Sequence, residues 1–157
     1  MVIEKKIRVH VIHGPNLNML GKREPDIYGD KTLDNINAGL NQKAKKLGVM
    51  VKAFQSNHEG EIVEKIHNIF NQKIDSSSKD GVIINPAAYT HTSVAIRDAL
   101  LLLDIPIIEV HLSNIYKREQ FRHKSMLSDI VTGQITGLGT FGYSLALEAI
   151  VEHINGK

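Results

Sequence analysis

The stretch Gly81-Val-Ile-Ile-Asn-Pro-Ala-Ala-Tyr-Thr-His91 decides the fold. Gly81 to Asn85 is a short apolar run without polar alternation, and Pro86 stops it. Such a strand needs cover on both faces, which a parallel sheet flanked by helices supplies. Upstream, Ile7 to Ile12 alternates at period two and ends at Gly14-Pro15, so it reads as a first strand. Thr32 is placed to cap a helix carrying Leu33, Ile36, Leu40, Ala44 and Leu47 at spacings of 3 and 4, ended by Gly48. Val49 to Gln55 reads as a strand, and Ser56 or Asn57 as the cap of a helix whose face is Ile62, Ile66, Ile69 and Phe70. Asp75 to Asp80 reads as a polar turn.

Downstream of the deciding stretch, Thr92 opens a helix to about Leu103, and Ile105 to His111 reads as a strand with Pro106 near its start. A basic segment with Arg118 and Arg122 follows, on one helix face at i, i+4 spacing. Ile130 to Thr136 reads as a fifth strand. A last helix, about Thr140 to Asn155, is apolar on much of its surface, which predicts packing on two sides. The alternation predicts an α/β, flavodoxin-like doubly wound sandwich with a five-stranded parallel sheet. One domain over 1–157 fits this length, with a long loop at about 18–30 expected to move over the site.

Composition narrows the function classes. Nineteen Lys+Arg against seventeen Asp+Glu leave a net charge of +2, too balanced to argue for nucleic acid. Zero Cys excludes a thiolate nucleophile, a disulfide scaffold and a Cys-ligated zinc or iron–sulfur site. The longest apolar run, Ala99 to Leu103, is far short of a membrane span. With no apolar h-region before Gly14-Pro15, the expectation is a soluble, cytoplasmic protein.

In open parallel sheets, ligands bind outside the carboxyl ends of the strands. Strand one exits into His13-Gly-Pro-Asn16, strand three into Asn85 to His91, and strand four ends Glu109-Val-His111-Leu-Ser113. Asn16, Asn85, His91 and His111 are therefore expected on one rim, under a loop holding Arg23 and Tyr28. A tyrosine is a poor base at neutral pH, but a neighbouring guanidinium favours phenolate. Amides and backbone N–H groups stabilise a forming oxyanion. A histidine can protonate a leaving group, and Glu109 shares a strand face with His111. That inventory suits proton abstraction beside a carbonyl followed by elimination.

Each residue also has an ordinary structural use. Tyr28 and Arg23 could be surface loop residues, and Asn16 and Asn85 could cap turns. His111 could be a hydrogen-bonded core histidine, and Asp98 could pair with a neighbouring cation. Convergence of all of them on one rim favours chemistry. Gly137-Leu-Gly-Thr-Phe-Gly142 fits GxGxxG, but it lies too near the end of the chain for the acidic partner of a dinucleotide site; it reads as glycines for close strand–helix packing. His10 with His13, and His58 with His67, lack a third ligand at useful spacing, so no metal site is expected. A flavin-binding module would need a phosphate-gripping loop where HGPNLN stands. A receiver domain would need an Asp where Asn85 stands.

Four segments carry a more specific signal: His13-GPNLNMLGKREPDIYG, Phe54-QSNHEGEIVEKIH, Gly81-VIINPAAYTHTSVAIRDAL and Ile107-IEVHLSNIYKREQFRHKS. Together they resemble type II 3-dehydroquinate dehydratase over nearly the whole chain, least closely at Tyr116 and Met126. The resemblance implies cofactor-free anti elimination of water from 3-dehydroquinate to 3-dehydroshikimate through an enolate. The setting it implies is the shikimate pathway of aromatic amino-acid biosynthesis, the alternative being catabolic use of quinate. By the same resemblance Tyr28 is the base, Arg23 holds it as phenolate, and Asn16 stabilises the enolate with an ordered water. His111 is the acid and Glu109 sets its tautomer and charge. Asn85, His91, Leu112, Ser113 and Arg122 match substrate-binding positions, the N–H groups of 112 and 113 holding the carboxylate. Asp98 matches a residue reaching the neighbouring subunit's site. The implied partner is more of the same chain, a dodecamer assembled from trimers.

Overall fold

Period-two alternation turns Ile7–His13 into strand β1, with Ile7, Val9 and Val11 in one apolar cluster and Ile12 in the other. The computed structural model describes residues 6–22, 24–74 and 78–156. Strands β2 (Met50–Gln55), β3 (Lys79–Asn85), β4 (Ile107–His111) and β5 (Gly133–Thr136) complete a five-stranded sheet of order β2-β1-β3-β4-β5. Every pairing is parallel. The order reverses between β1 and β3, which opens a crevice at their carboxyl ends.

Helices α1 (Pro25–Tyr28), α2 (Leu33–Leu47), α3 (Glu59–Ile74), α4 (Val94–Leu101) and α5 (Phe141–Asn155) follow in chain order. One layer is α2 and α5, whose Ile36, Leu40, Ala44, Leu147 and Ile150 meet Val9, Val11 and Ile83. The other is α3 and α4, whose Ile62, Ile66, Ile69, Ile96 and Leu100 meet Ile12, Val82 and Ile84. Each fully buried side chain of this kind contributes about 1.5–3 kcal/mol. Gly81 is required by this packing: a Cβ there would stand 2.4 Å from Ile150 Cγ2. Helix α2 starts where expected, with Thr32 Oγ1 accepting from Asn35 N and Gly48 closing it at φ 68°.

Several boundaries differ from expectation for physical reasons. Phe70 is exposed, because the stripe Ile62-Ile66-Ile69 already fills the buried face of α3. Helix α3 begins at Glu59: Ser56 Oγ accepts from His58 N, while Asn57 Oδ1 instead takes the Asn16 amide. Residues 75–77 of the expected polar turn lie outside the described residues, but Asp80 belongs to β3 and is buried. Arg8 neutralises it across the ladder through bonds of 2.8 and 2.9 Å. Ser93, not Thr92, caps α4, with Ala87–His91 forming a 3-10 turn before it. Arg118 and Arg122 share no helix, since Arg118 is extended between two single turns. The fifth strand is shorter than expected. Gly142 lies close to Ile135 and Val110, as close strand–helix packing requires. Among the described residues, no helix is long and apolar enough to cross a membrane.

Candidate active site

A cavity opens at the carboxyl ends of β1, β3 and β4. Asn16, Tyr28, Asn85, His91, His111, Leu112, Ser113 and Arg122 all line it. Eight residues singled out in sequence thus line one cavity. Glu109 stands behind His111, buried, and Asp98 sits exposed on α4, away from the cavity. Arg23 lies outside the described residues.

Backbone constraints place the two amides. Gly14 N donates to Asn85 O at 2.7 Å, joining the loops after β1 and β3. Asn16 follows with φ 67°, a conformation that asparagine tolerates better than most residues. Ala87 adopts φ 52°, which costs on the order of 1 kcal/mol for a residue with a Cβ. Its N–H donates to Asn85 Oδ1 at 3.1 Å. Both left-handed residues line the cavity, where such strain concentrates.

An imidazole–carboxylate pair rises from β4. Glu109 and His111, two apart on one strand, share the face turned to α3 and α4. His111 Nε2 donates to Glu109 Oε1 at 2.7 Å. Glu109 also accepts from Thr90 Oγ1 at 3.0 Å, Ser125 Oγ at 2.8 Å and Gln134 Nε2 at 2.6 Å. Burial works against its charge, but the hydrogen bond and charge of His111, with Ser125 and Gln134, outweigh that and hold the carboxyl below its ordinary range. With Nε2–H committed to the carboxylate, Nδ1 is the His111 nitrogen left to exchange a proton. His91 stacks near His111, ring centroids 6.4 Å apart, and its Nδ1 donates to Lys124 O at 2.8 Å. Burial pushes the His91 imidazole down, and the nearby His111 and Arg122 add to that effect.

Tyr28 closes the other side. The single turn α1 starts on Pro25 and ends at Gly29 with φ 80°. It presents a half-buried phenol whose Oη accepts from Arg118 Nη1 at 2.7 Å. The bond sets a cation directly against the phenol oxygen. Sequence reasoning placed Arg118 in a basic segment but gave it no role. The signal, Arg118 ninety residues from Tyr28 in sequence, emerges only from the fold. Thr90, Ser125 and Gln134 were likewise missed, since a single hydroxyl or amide has no pattern in sequence.

The site can therefore offer a phenol beside a cation, an imidazole backed by a buried carboxylate, and fixed amides between them. The family model described as dehydroquinase class II matches residues 7–151. The chain is 54% identical over 147 residues to a 3-dehydroquinate dehydratase of Halothermothrix orenii, covering 94% of this chain and 95% of that protein. It is 58% identical over 146 residues to one of Bordetella avium, covering 91% and 96%. Among solved structures, the type II dehydroquinase from Propionibacterium acnes matches with TM-score 0.86 and 43% identity, covering 95% of this chain and 99% of that one. The type II dehydroquinase from Butyrivibrio crossotus matches with TM-score 0.87 and 42% identity, covering 92% and 97%. With fold, cavity and nearly full-length likeness in agreement, the chain belongs to the class II dehydroquinase family.

Proposed function

We propose that the protein dehydrates 3-dehydroquinate to 3-dehydroshikimate by anti elimination, with Tyr28 as base and His111 as acid. The observation that carries this reading is the Arg118–Tyr28 bond of 2.7 Å on the same cavity as the Glu109–His111 pair. Tyr28 phenolate removes the proton at carbon 2, and its electron pair forms the enolate. Asn16, with an ordered water, stabilises the enolate oxygen. The enolate then collapses, the carbon–oxygen bond at the leaving position breaks, and His111 gives that hydroxyl a proton to release water. Glu109 keeps the imidazole oriented and able to hold the proton. The Leu112 and Ser113 N–H groups hold the substrate carboxylate, while Asn85, His91 and Arg122 bind its other polar groups. Arg118 supplies the cation that the resemblance assigned to Arg23, and the two would share that role. The loop at 18–30 closes over bound substrate.

The same reading places the enzyme in the shikimate pathway, in the cytoplasm, and in a dodecamer of trimers. Val94, Leu101 and Leu102 are exposed on and just after α4, around the exposed Asp98. An apolar surface of that kind supports cover by a second copy, which would bring Asp98 to the neighbouring site. Light scattering on the eluted protein should give twelve times the 17.5 kDa chain mass; a monomer would overturn the assembly but not the chemistry. The deciding experiment is the ultraviolet assay that follows the conjugated enone product from 3-dehydroquinate. Wild-type turnover is expected, and Tyr28→Phe should lose about 10³-fold or more in kcat. No wild-type turnover would end the assignment, and a near-normal Tyr28→Phe would remove Tyr28 from the mechanism.

A further inference from the structure

A buried chain of polar groups crosses the α2–α5 layer and ends at the cavity. Asn37 Oδ1 on α2 lies 2.9 Å from His13 Nε2, and His13 Nδ1 lies 3.0 Å from Tyr143 Oη on α5. Asn85 Nδ2 on β3 donates to that same Oη at 3.1 Å. His13, Asn85 and Tyr143 are all buried, and only Asn37 reaches the surface. None of the mechanism's proton transfers uses His13, Asn37 or Tyr143.

The direction of every bond follows from one group that has no alternative. A backbone N–H can only donate, so the Ala87 N–H fixes Asn85 Oδ1 as its acceptor. The Asn85 amide nitrogen must then face Tyr143. Tyr143 Oη accepts from it, and its own proton goes to His13 Nδ1. His13 therefore carries its hydrogen on Nε2 and donates to Asn37 Oδ1. Reversing the His13 links would turn the Nε2 lone pair onto Asn37 Oδ1, two acceptors face to face, and leave the buried Tyr143 proton without an acceptor. Burial keeps the chain neutral: it holds the His13 imidazole down at about 4 and pushes the Tyr143 phenol up. The chain keeps one polarity across the working pH range.

We propose that Tyr143, His13 and Asn37 are positioning residues that lock the Asn85 amide in one orientation for substrate. One N–H and one oxygen lone pair of Asn85 stay free for the ligand, with their identities set from behind. Without the chain, the amide can turn and present the wrong group. The proposal rests on the reading of Asn85 as a substrate ligand, so the test varies both.

In steady-state assays with 3-dehydroquinate, Tyr143→Phe should raise KM about tenfold and change kcat less than about threefold, because Asn85 binds substrate and transition state alike. On an Asn85→Ala background, the same substitution should change KM less than about twofold, as coupling through one residue demands. A folded Tyr143→Phe with unchanged KM overturns the proposal. So does an equal KM rise on both backgrounds, which marks general distortion. Should Asn85→Ala leave KM unchanged while turnover persists, both the Asn85 assignment and the proposal fall, and the dehydratase reading stands. If Tyr143→Phe does not fold, the half-exposed Asn37→Ala decides, with a KM rise of about two- to fivefold supporting the chain and no rise refuting it.

Discussion

Among the described residues two carboxylates are buried in this sheet, and they differ in what they are paired with. Asp80, at the amino end of β3, and Glu109, in β4 beside the cavity, both have side chains closed to solvent. Asp80 is gripped twice by Arg8, with Ser78 Oγ at 3.2 Å and His10 Nε2 at 3.9 Å. Its main partner is a guanidinium that never releases its proton. Glu109 is gripped by three neutral donors and by the His111 imidazole, whose other nitrogen, Nδ1, is left to exchange a proton. Burial and pairing are common to both. The difference is the partner: a guanidinium at Asp80, and at Glu109 an imidazole that lines the cavity shared with Tyr28.

The contrast breaks if the two carboxylates respond alike to loss of charge. Asp80→Asn should lower unfolding free energy by about 3–5 kcal/mol, because it removes the charge from a carboxylate held twice by the largely buried Arg8, while turnover per folded molecule is unchanged. Urea titration alongside active-site-normalised kcat checks both halves. Glu109→Gln should do the reverse, cutting kcat about 10²–10³-fold. Its melting temperature should fall less than that of Asp80→Asn, because the Ser125 hydroxyl can turn to accept from the new amide and the Gln134 amide can flip to present its oxygen.

His10 sharpens the comparison at the Asp80 end. Among the described residues neither of its ring nitrogens has a hydrogen-bond partner. Burial lowers its pKa to about 4; Asp80 opposes the shift, and Arg8, Lys65 and Lys52 add to it. Because the folded value lies below the unfolded one, the stability contribution is complete above about pH 6.5 and is lost as pH falls toward 4. His10→Leu should remove up to about 3 kcal/mol of that acid sensitivity, read as the pH dependence of the urea midpoint. The smallest effect belongs to Ser125→Ala, which takes from Glu109 a donor shared by both oxygens. The carboxyl then protonates more readily, and the acid limb of the kcat–pH profile should move to higher pH. An unmoved limb would show that His111, Thr90 and Gln134 suffice to keep Glu109 charged.

The apolar half of this architecture was plain in the residues, and the polar half only in part. Ile7 to Ile12, GVIIN and the Thr32-to-Gly48 helix announce themselves through period, caps and turn residues, all local properties. The rim was legible because strand ends in a doubly wound sheet converge by topology, which brought Asn16, Asn85 and His111 together before any coordinates. Arg118 was not, since an extended residue between two single turns carries no periodic signal. Asp80 was misread as turn because its neutralising partner lies 72 residues earlier. Phe70 was misread because spacing alone cannot say where a buried stripe stops.

Gly14 carries a consequence for engineering. A Cβ at that position would meet Pro86 O at 2.4 Å, so even alanine would pry the two loops apart. The gap separating the Asn16 and Asn85 amides is therefore dimensioned by main chain meeting main chain. Side-chain libraries around the pocket can retune what it grips, but resizing it for a bulkier ring would demand rebuilding that backbone seam.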